Sequence, residues 1–534
     1  APPAMALPPG MRISYLKNII CIHSPIVVTL FIHFTYKMDN NMMSTPQNEN
    51  DLQQQAYHHV IFAEEEQSEG DFHELVKKLK TIRHYGIKKV IHLALGFFFL
   101  FAAYNTIQNY VTTLLPGCLG FTSLCVLYVS VCPSLLLAPG ICARLGDKWT
   151  LVIGAMCYSI WIASLTRPDI PSLVMGASVV IGFGAAILWV AQGTYLTKQG
   201  DETNRGRLAG TFWGIFQLSG IVGNFGSYFV IYGSANDDDN DNNSTTKKVD
   251  GTELYMIGLI MSLVSAFVFA CLSPAETFKN SKEIFNNMME NDDESQPSIR
   301  DVQPDVSTPL VVDTDEATKH FAPLKSLRKE WKQLANRKHL LLLLSPLLFL
   351  TGYELAFVAG EFPLFFAKDK NQTSSVSLVF VFWAFAEVLG SYTIGNISEK
   401  IGKTYTLAFG VFIYIIALSI TWQLDDDYLA VGTWKNISIL AYIAGTFYGF
   451  ADCTFNVIVL AKLGDLFPDN GSHGAFTIFQ FLQNIGSALM FGIPVLFSND
   501  HSESCSASNQ SNMLRMVIIG SQGFVAMLSL FAFW

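Results

Sequence analysis

Charge is scarce in this chain of 534 residues. Only 15% of them are Asp, Glu, Lys or Arg, against about 25% in a typical soluble domain, too few to clothe a soluble surface of this size. The charges sum to −10, so the basic stripe of a nucleic-acid binder is missing and no nucleic-acid partner is expected. The nine cysteines contain no Cys-x-x-Cys pair, and no histidines stand at zinc spacing, so no metal site is expected. A P-loop, a nucleophile elbow, a His-Glu-x-x-His helix and the kinase signatures are absent too. No cofactor is implied, and without a nucleophile–base pair the chain does not read as an enzyme.

Long apolar runs take the place of charge. Half of the residues are hydrophobic and 41 are Phe. A spanning helix needs about 20 mostly apolar residues. Such cores fall at 90–112, 121–142, 151–166, 173–196, 208–232 and 253–272, numbered spans 1 to 6. After a polar stretch come 339–361, 375–396, 405–423, 438–460, 475–497 and 512–534, spans 7 to 12. With the start of span 1 in the cytoplasm, about four in five of the 34 Lys and Arg fall on the inner side,. The N-x-S/T sequons at Asn242, Asn243, Asn371, Asn436 and Asn509 then lie outside, where glycans are added, and Asn396 and Asn470 lie inside,.

Residues 1–87 are read as a polar cytoplasmic segment. Within it, 19–36 is apolar behind Arg12 and Lys17. It reads either as a signal-like stretch without a clear cleavage site or as a thirteenth span, with the functional start at or after Met38.

The two halves, 88–272 and 339–534, repeat each other. Gly146, Thr150-Leu151, Gly154 and Tyr158 recur at the same spacing as Gly402, Thr406-Leu407, Gly410 and Tyr414. Ile215-Phe216-Gln217 with Gly223 recurs as Ile478-Phe479-Gln480 with Gly486, and Gly182-Phe183 recurs as Gly449-Phe450. Two six-helix halves on a long linker resemble the major facilitator superfamily, whose solute site lies between the halves. Gly395, Glu399, Lys400, Gly402 and Lys403 fit the cytoplasmic gating signature of that superfamily. The first copy, Arg144 to Lys148, is degenerate, with Pro139 and Ala143 where a Gly and an acid belong.

A narrower resemblance follows. Phe101-Ala-Ala-Tyr104-Asn105 on span 1, Gly184 to Thr197 around Trp189 and Gln192 on span 4, and Gly223-Asn224 on span 5 are similar to the uncoordinated-93-like family. So are Gly352 to Glu361 on span 7, Gly449 to Asn456 on span 10 and Ala475 to Gln483 on span 11. The short 233–251 loop and Ala386 to Gly390 look most like its branch called major facilitator domain-containing protein eleven. The resemblance implies an all-α integral membrane protein of twelve transmembrane helices in two pseudo-symmetric halves. It implies either a carrier of a small solute or a regulatory or escort subunit with a channel or receptor partner. The membrane is the plasma or an endolysosomal membrane.

Ionisable groups within a bilayer are costly and mark function by default. Spans 1 to 5 carry no acid in their cores. The second half carries Glu354 and Glu361 on span 7, Glu387 on span 8 and Asp452 on span 10. The superfamily resemblance places spans 1, 4, 7 and 10 around the cavity, so Glu354 and Asp452 are expected to face it. Glu361 is expected near the outer interface, in water. Asn105, Gln108 and Asn109 share one face of span 1, Trp189 and Gln192 one face of span 4, and Asp452 and Asn456 one face of span 10. Such amides serve either a polar solute or a neighbouring helix, and Trp189 either packs or forms a platform. Gly206, Gly210 and Gly214, and Gly352, Ala356 and Gly360, are small-residue stripes that allow close helix packing.

The linker 273–338 is acidic and polar at first, a composition of disorder. Pro323–Lys338 then sets Leu324, Leu327, Trp331 and Leu334 against Lys325, Arg328, Lys329 and Lys332, the pattern of a basic helix on the inner leaflet,. Cys118 and Cys505 are the two cysteines of the outer loops. The superfamily packing of spans 2 and 11 implies that they can pair in an oxidising compartment.

Overall fold

The computed structural model describes residues 69–199, 205–238, 251–273, 338–367, 370–424, 432–435, 437–466, 472–497 and 512–533. The segment 19–36, most of the linker with its amphipathic stretch, and Asn242, Asn243, Asn436, Asn470, Cys505 and Asn509 lie outside these residues. The packing reported below is that of His84–Trp534.

Helix α1 is Glu69–Leu114. The helical run Leu119–Ser164 follows, 46 residues long. At about 1.5 Å per residue it is more than twice the ~30 Å of a bilayer core. It breaks at Gly146, where φ is 74° and ψ 159°, so it forms two spans, α2 before the glycine and α3 after it. The others are α4, Pro171–Lys198, α5, Arg205–Asp238, and α6, Thr252–Ala270. The second half holds α7, Lys338–Gly360, α8, Lys370–Ile401, and α9, Lys403–Gln423. It ends with α10, Ile439–Leu466, α11, Ser472–Leu496, and α12, Asn512–Phe533. Among the described residues eleven helical runs are long and apolar enough to cross a membrane, and the break at Gly146 makes them the twelve expected spans.

Gly402 separates α8 from α9 with φ 93° and ψ 149°, nearly the conformation of its repeat partner Gly146. A side chain at positive φ collides with its own backbone, so glycine is the residue that turns the chain here. The repeat is therefore conformational as well as compositional.

The first half is glued by buried hydroxyls. Ser123 and Ser178 hydrogen-bond at 2.8 Å, Trp161 Nε1 donates to Ser123 at 3.1 Å, and Ser159 donates to Ser262 at 2.8 Å. The α7 stripe packs as expected: a Cβ at Gly352 would overlap the Gln483 carbonyl, and one at Gly360 would lie 2.6 Å from Phe491. The α5 stripe does not, since nothing lies within 4 Å of a Cβ at Gly210 or Gly214. Outward faces are apolar, with Phe229, Phe267, Leu342 and Phe531 exposed, as a lipid-facing surface requires.

The halves meet along two seams. On the first, α5 packs against α8; a Cβ on Gly220 would lie 3.2 Å from that of Ala384. On the second, α2 packs against α11; Cys125 Sγ donates to the Ala488 carbonyl and Tyr128 stacks on Phe491. Where α1 ends and α8 begins, Tyr110 Oη bonds Ser377 Oγ at 2.5 Å, Ser227 bonds the same Ser377 at 2.5 Å, and Thr112 donates to the Gly360 carbonyl at 2.8 Å. In the orientation read from loop charge, this sealed end is the outer one.

Two departures from expectation concern helix ends. The loop expected over 233–251 is helical to Asp238. Between α9 and α10, β1, Thr433–Trp434, pairs antiparallel with β2, Ile437–Ser438. This hairpin is anchored by Ser375 donating to the Lys435 carbonyl and Tyr442 donating to the Trp434 carbonyl. Two-residue strands carry no periodicity that a sequence pattern can reveal.

Candidate functional site

Three of the four acids flagged in the second half converge. Glu354 comes from α7, Glu387 from α8 and Asp452 from α10; they are 0%, 9% and 3% exposed. Each interacts electrostatically with at least one of the others. Asn456, one turn along α10, donates to Asp452 Oδ1 at 2.7 Å. Gln217 Nε2, on α5 of the other half, donates to Glu387 Oε1 at 2.6 Å. Glu354 faces the Asp452 carboxyl, and among the described residues its oxygens accept from no other side chain. Tyr414 and Tyr448 border Glu354, and Cys453 borders Glu387 and Asp452. Among the described residues, none of the partners of these three acids is a lysine or arginine.

This arrangement follows from helix phase. Close approach brings the backbones together: a Cβ at Gly449 would overlap the Trp383 carbonyl, so α10 rests directly on α8 one turn before Asp452 and Glu387. Three carboxyl groups in one desolvated space cannot all carry charge. Without an internal cation, their charge is relieved by protons or by a bound cation.

The candidates of the first half do not join this cluster. Gln108 Nε2 donates to Tyr128 Oη at 3.1 Å, and Asn109 donates to Asn224 at 3.3 Å. Both amides therefore serve helix packing. Trp189 sits in an aromatic cluster, 5.4 Å from Phe97, 5.3 Å from Phe101 and stacked on Trp213 at 6.0 Å. Asn105 is half-buried on α1 and Gln192 is buried on α4. Among the described residues, no contact carries Asn105, Trp189 or Gln192 to the carboxyl groups.

Glu361 is not in water, as its place near a span end suggested. It is 0% exposed. After α7 the chain does not leave the bundle but makes a short helical turn, Phe362–Phe366, whose phenylalanines are buried. Arg515, near the start of α12, is buried as well, over the rings of Trp422 and Phe365.

The cytoplasmic motif copies each hold an ion pair, with reversed polarity. In the first half Asp147, at the start of α3, accepts from Lys198 at the end of α4 at 2.7 Å and from Thr194 at 2.7 Å. In the second half Lys403, at the start of α9, pairs with Asp465 near the end of α10. Gly395 and Gly402 lie in and after α8, and Lys400 is exposed. The side chain of Glu399 is outside the described set. From the sequence Gln217 stands out only as a repeat marker and Asp147 only as part of the degenerate first motif copy, while Lys198 and Asp465 carry no signal. A polar side chain opposite an acid on the neighbouring span was the available signal for Gln217.

Residues 115–499 match the family described as ion channel regulatory protein UNC-93. The chain is 27% identical over 424 residues to the UNC93-like protein MFSD11 of Xenopus tropicalis, covering 75% of this chain and 88% of that one. It is 28% identical over 434 residues to protein unc-93 homolog A of Bos taurus, covering 76% and 87%. Among solved structures, the D-xylose–proton symporter superposes with a TM-score of 0.58 at 12% identity, covering 84% of this chain and 97% of that one. At that identity the likeness concerns the fold alone. The chain is a multi-pass membrane protein with the major facilitator fold, and it belongs to the UNC-93 family.

Proposed function

We propose that this protein is a secondary transporter that moves a small solute by alternating access, with proton movement carried by Glu354, Asp452 and Glu387. The observation that carries the reading is the convergence of three buried carboxyl groups without a cation, one of them bonded to the opposite half. A scaffold that only held a partner would gain nothing from burying carboxyl groups at a cost of a few kcal/mol each. A carrier gains a site whose charge is relieved by protons taken up on one side and released on the other. The plasma membrane or an endolysosomal membrane supplies the gradient.

The family description favours a second reading, a non-transporting regulatory or escort subunit of an ion channel or receptor. Reconstitution separates the two. Purified protein in liposomes under an imposed pH gradient is expected to acidify the lumen and accumulate solute from a panel. Asp452→Asn should abolish the pH-driven component while solute exchange and folding persist, and Glu354→Gln should act likewise. Wild-type protein that moves neither solute nor protons, yet changes the current or surface level of a co-expressed channel, would establish the second reading instead.

A further inference from the structure

The hydrogen bond from Gln217 to Glu387 has its acceptor in the carboxyl cluster and its donor in the opposite half. It joins the cluster directly to the first half. It sits where the seam is tight: Gly220 and Ala384, each three residues away, bring α5 and α8 into backbone proximity. Spacing of three keeps each pair on a common helix face.

The other seam shows that packing does not require this acid. By the repeat, Gln480 on α11 corresponds to Gln217 on α5. The offset that carries Gly402 back to Gly146 carries Glu387 back to Val131, a buried apolar residue on α2. Both seams keep the amide, and one has the acid. The α2–α11 seam closes instead through Cys125, Tyr128 and Phe491.

A hydrogen bond to an ionised carboxylate is roughly twice as strong as one to a neutral acceptor. The groups facing Glu387 are Asp452 and Cys453 from α10, Glu354 from α7 and Gln217 from α5; Tyr414 of α9 faces Glu354 and Asp452. A proton or cation entering this set neutralises charge that Gln217 otherwise helps to support. The strength of a bond across the seam therefore depends on occupancy of the cluster.

We propose that Gln217 is a positioning residue that transmits occupancy of the carboxyl cluster to the α5–α8 seam, a latch between the halves. The inference rests on the proton-linked reading of the cluster, but its experiment reads the seam rather than flux. Thr112 is buried on α1 against the Gly360 carbonyl of α7, so Thr112→Cys reports separation of the halves. In the full chain, with the free cysteines replaced by serine and Cys118 retained, its labelling by an impermeant maleimide is followed as pH falls through the carboxylate range, each rate divided by that of the same chain denatured at the same pH, because maleimide reacts with the thiolate and every raw rate falls with pH. The parent rate should change on the order of tenfold. Glu387→Gln should hold the acid rate at every pH. Gln217→Met, similar in volume but without a donor, should flatten the response although all three acids remain. A Gln217→Met response equal to the parent's, or a parent rate indifferent to pH, overturns the latch. Proton-linked uptake in the same vesicles decides the transport reading separately: uptake with an unchanged Gln217→Met response removes only the latch, and a pH-responsive seam without uptake removes only transport.

Discussion

At the residue scale, cost decides function. Glu354 is fully enclosed and faces another acid, Asp452, with no lysine or arginine among its described partners, so its retention in a hydrophobic span needs a compensating role. Glycine shows the opposite economy. Gly352 has no room for a side chain, because the Gln483 carbonyl occupies the space of its Cβ. Gly352→Val is expected to force α7 from α11 and destabilise the folded protein by about 1–3 kcal/mol, read as a lower melting temperature in detergent by fluorescence-detected size-exclusion chromatography. Gly210→Ala, with open space around it, should hold or raise that temperature, since alanine is favoured over glycine in a helix by about 1 kcal/mol. An equal loss in both variants would contradict the packing described for α7. The acids were legible from the sequence because charge in a span is rare. The emptiness around Gly210 was not, because small-residue spacing is the same whether or not a helix lies opposite.

At the element scale, the junctions carry the information. Gly146 and Gly402 turn the chain at equivalent places, and each following helix begins beside an ion pair whose charges are exchanged between the halves. A composition count cannot register that exchange, since only contact shows which Asp meets which Lys. Cys118, in the α1–α2 loop, is disulfide-bonded. Six other cysteines are free thiols, which leaves Cys21 and Cys505 as partners, both outside the described residues. Pairing with Cys505 would tie the α1–α2 loop to the α11–α12 loop, above the seam where α2 meets α11. Cys505→Ser should expose one new alkylatable thiol in the denatured, unreduced protein, assigned to Cys118 by peptide mapping. Cys21→Ser should expose none; the reverse result would reassign the bridge.

At the scale of the whole molecule, the two halves are held at one end by Tyr110, Ser227 and Ser377 and touched near the cluster by Gln217. Which end faces the cytoplasm follows from lysine and arginine distribution. If that orientation is right, glycosidase should increase the mobility of the expressed protein, and joint replacement of Asn242, Asn243, Asn371, Asn436 and Asn509 should remove the shift. Retention of the shift until Asn396 or Asn470 is replaced would invert the molecule and make the Tyr110 seal an inner one.

The sequence by itself determined the twelve spans of the two halves, the repeat and the presence of costly acids, because hydrophobic length, glycine at positive φ and charge within lipid are constraints on each segment separately. Tertiary structure decided which polar groups serve packing and which assemble. Gln108 and Asn109 were equivalent in pattern to Asn456, yet they meet Tyr128 and Asn224 while Asn456 meets Asp452. Glu361 shared a helix with Glu354, yet the turn at Phe362–Phe366 buries it away from solvent instead of exposing it. Gln217 found its partner, Glu387, on a helix 170 residues away in sequence. Helix phase and the rotation of one helix against another set these partnerships, and neither is encoded in the spacing of residues along a single span.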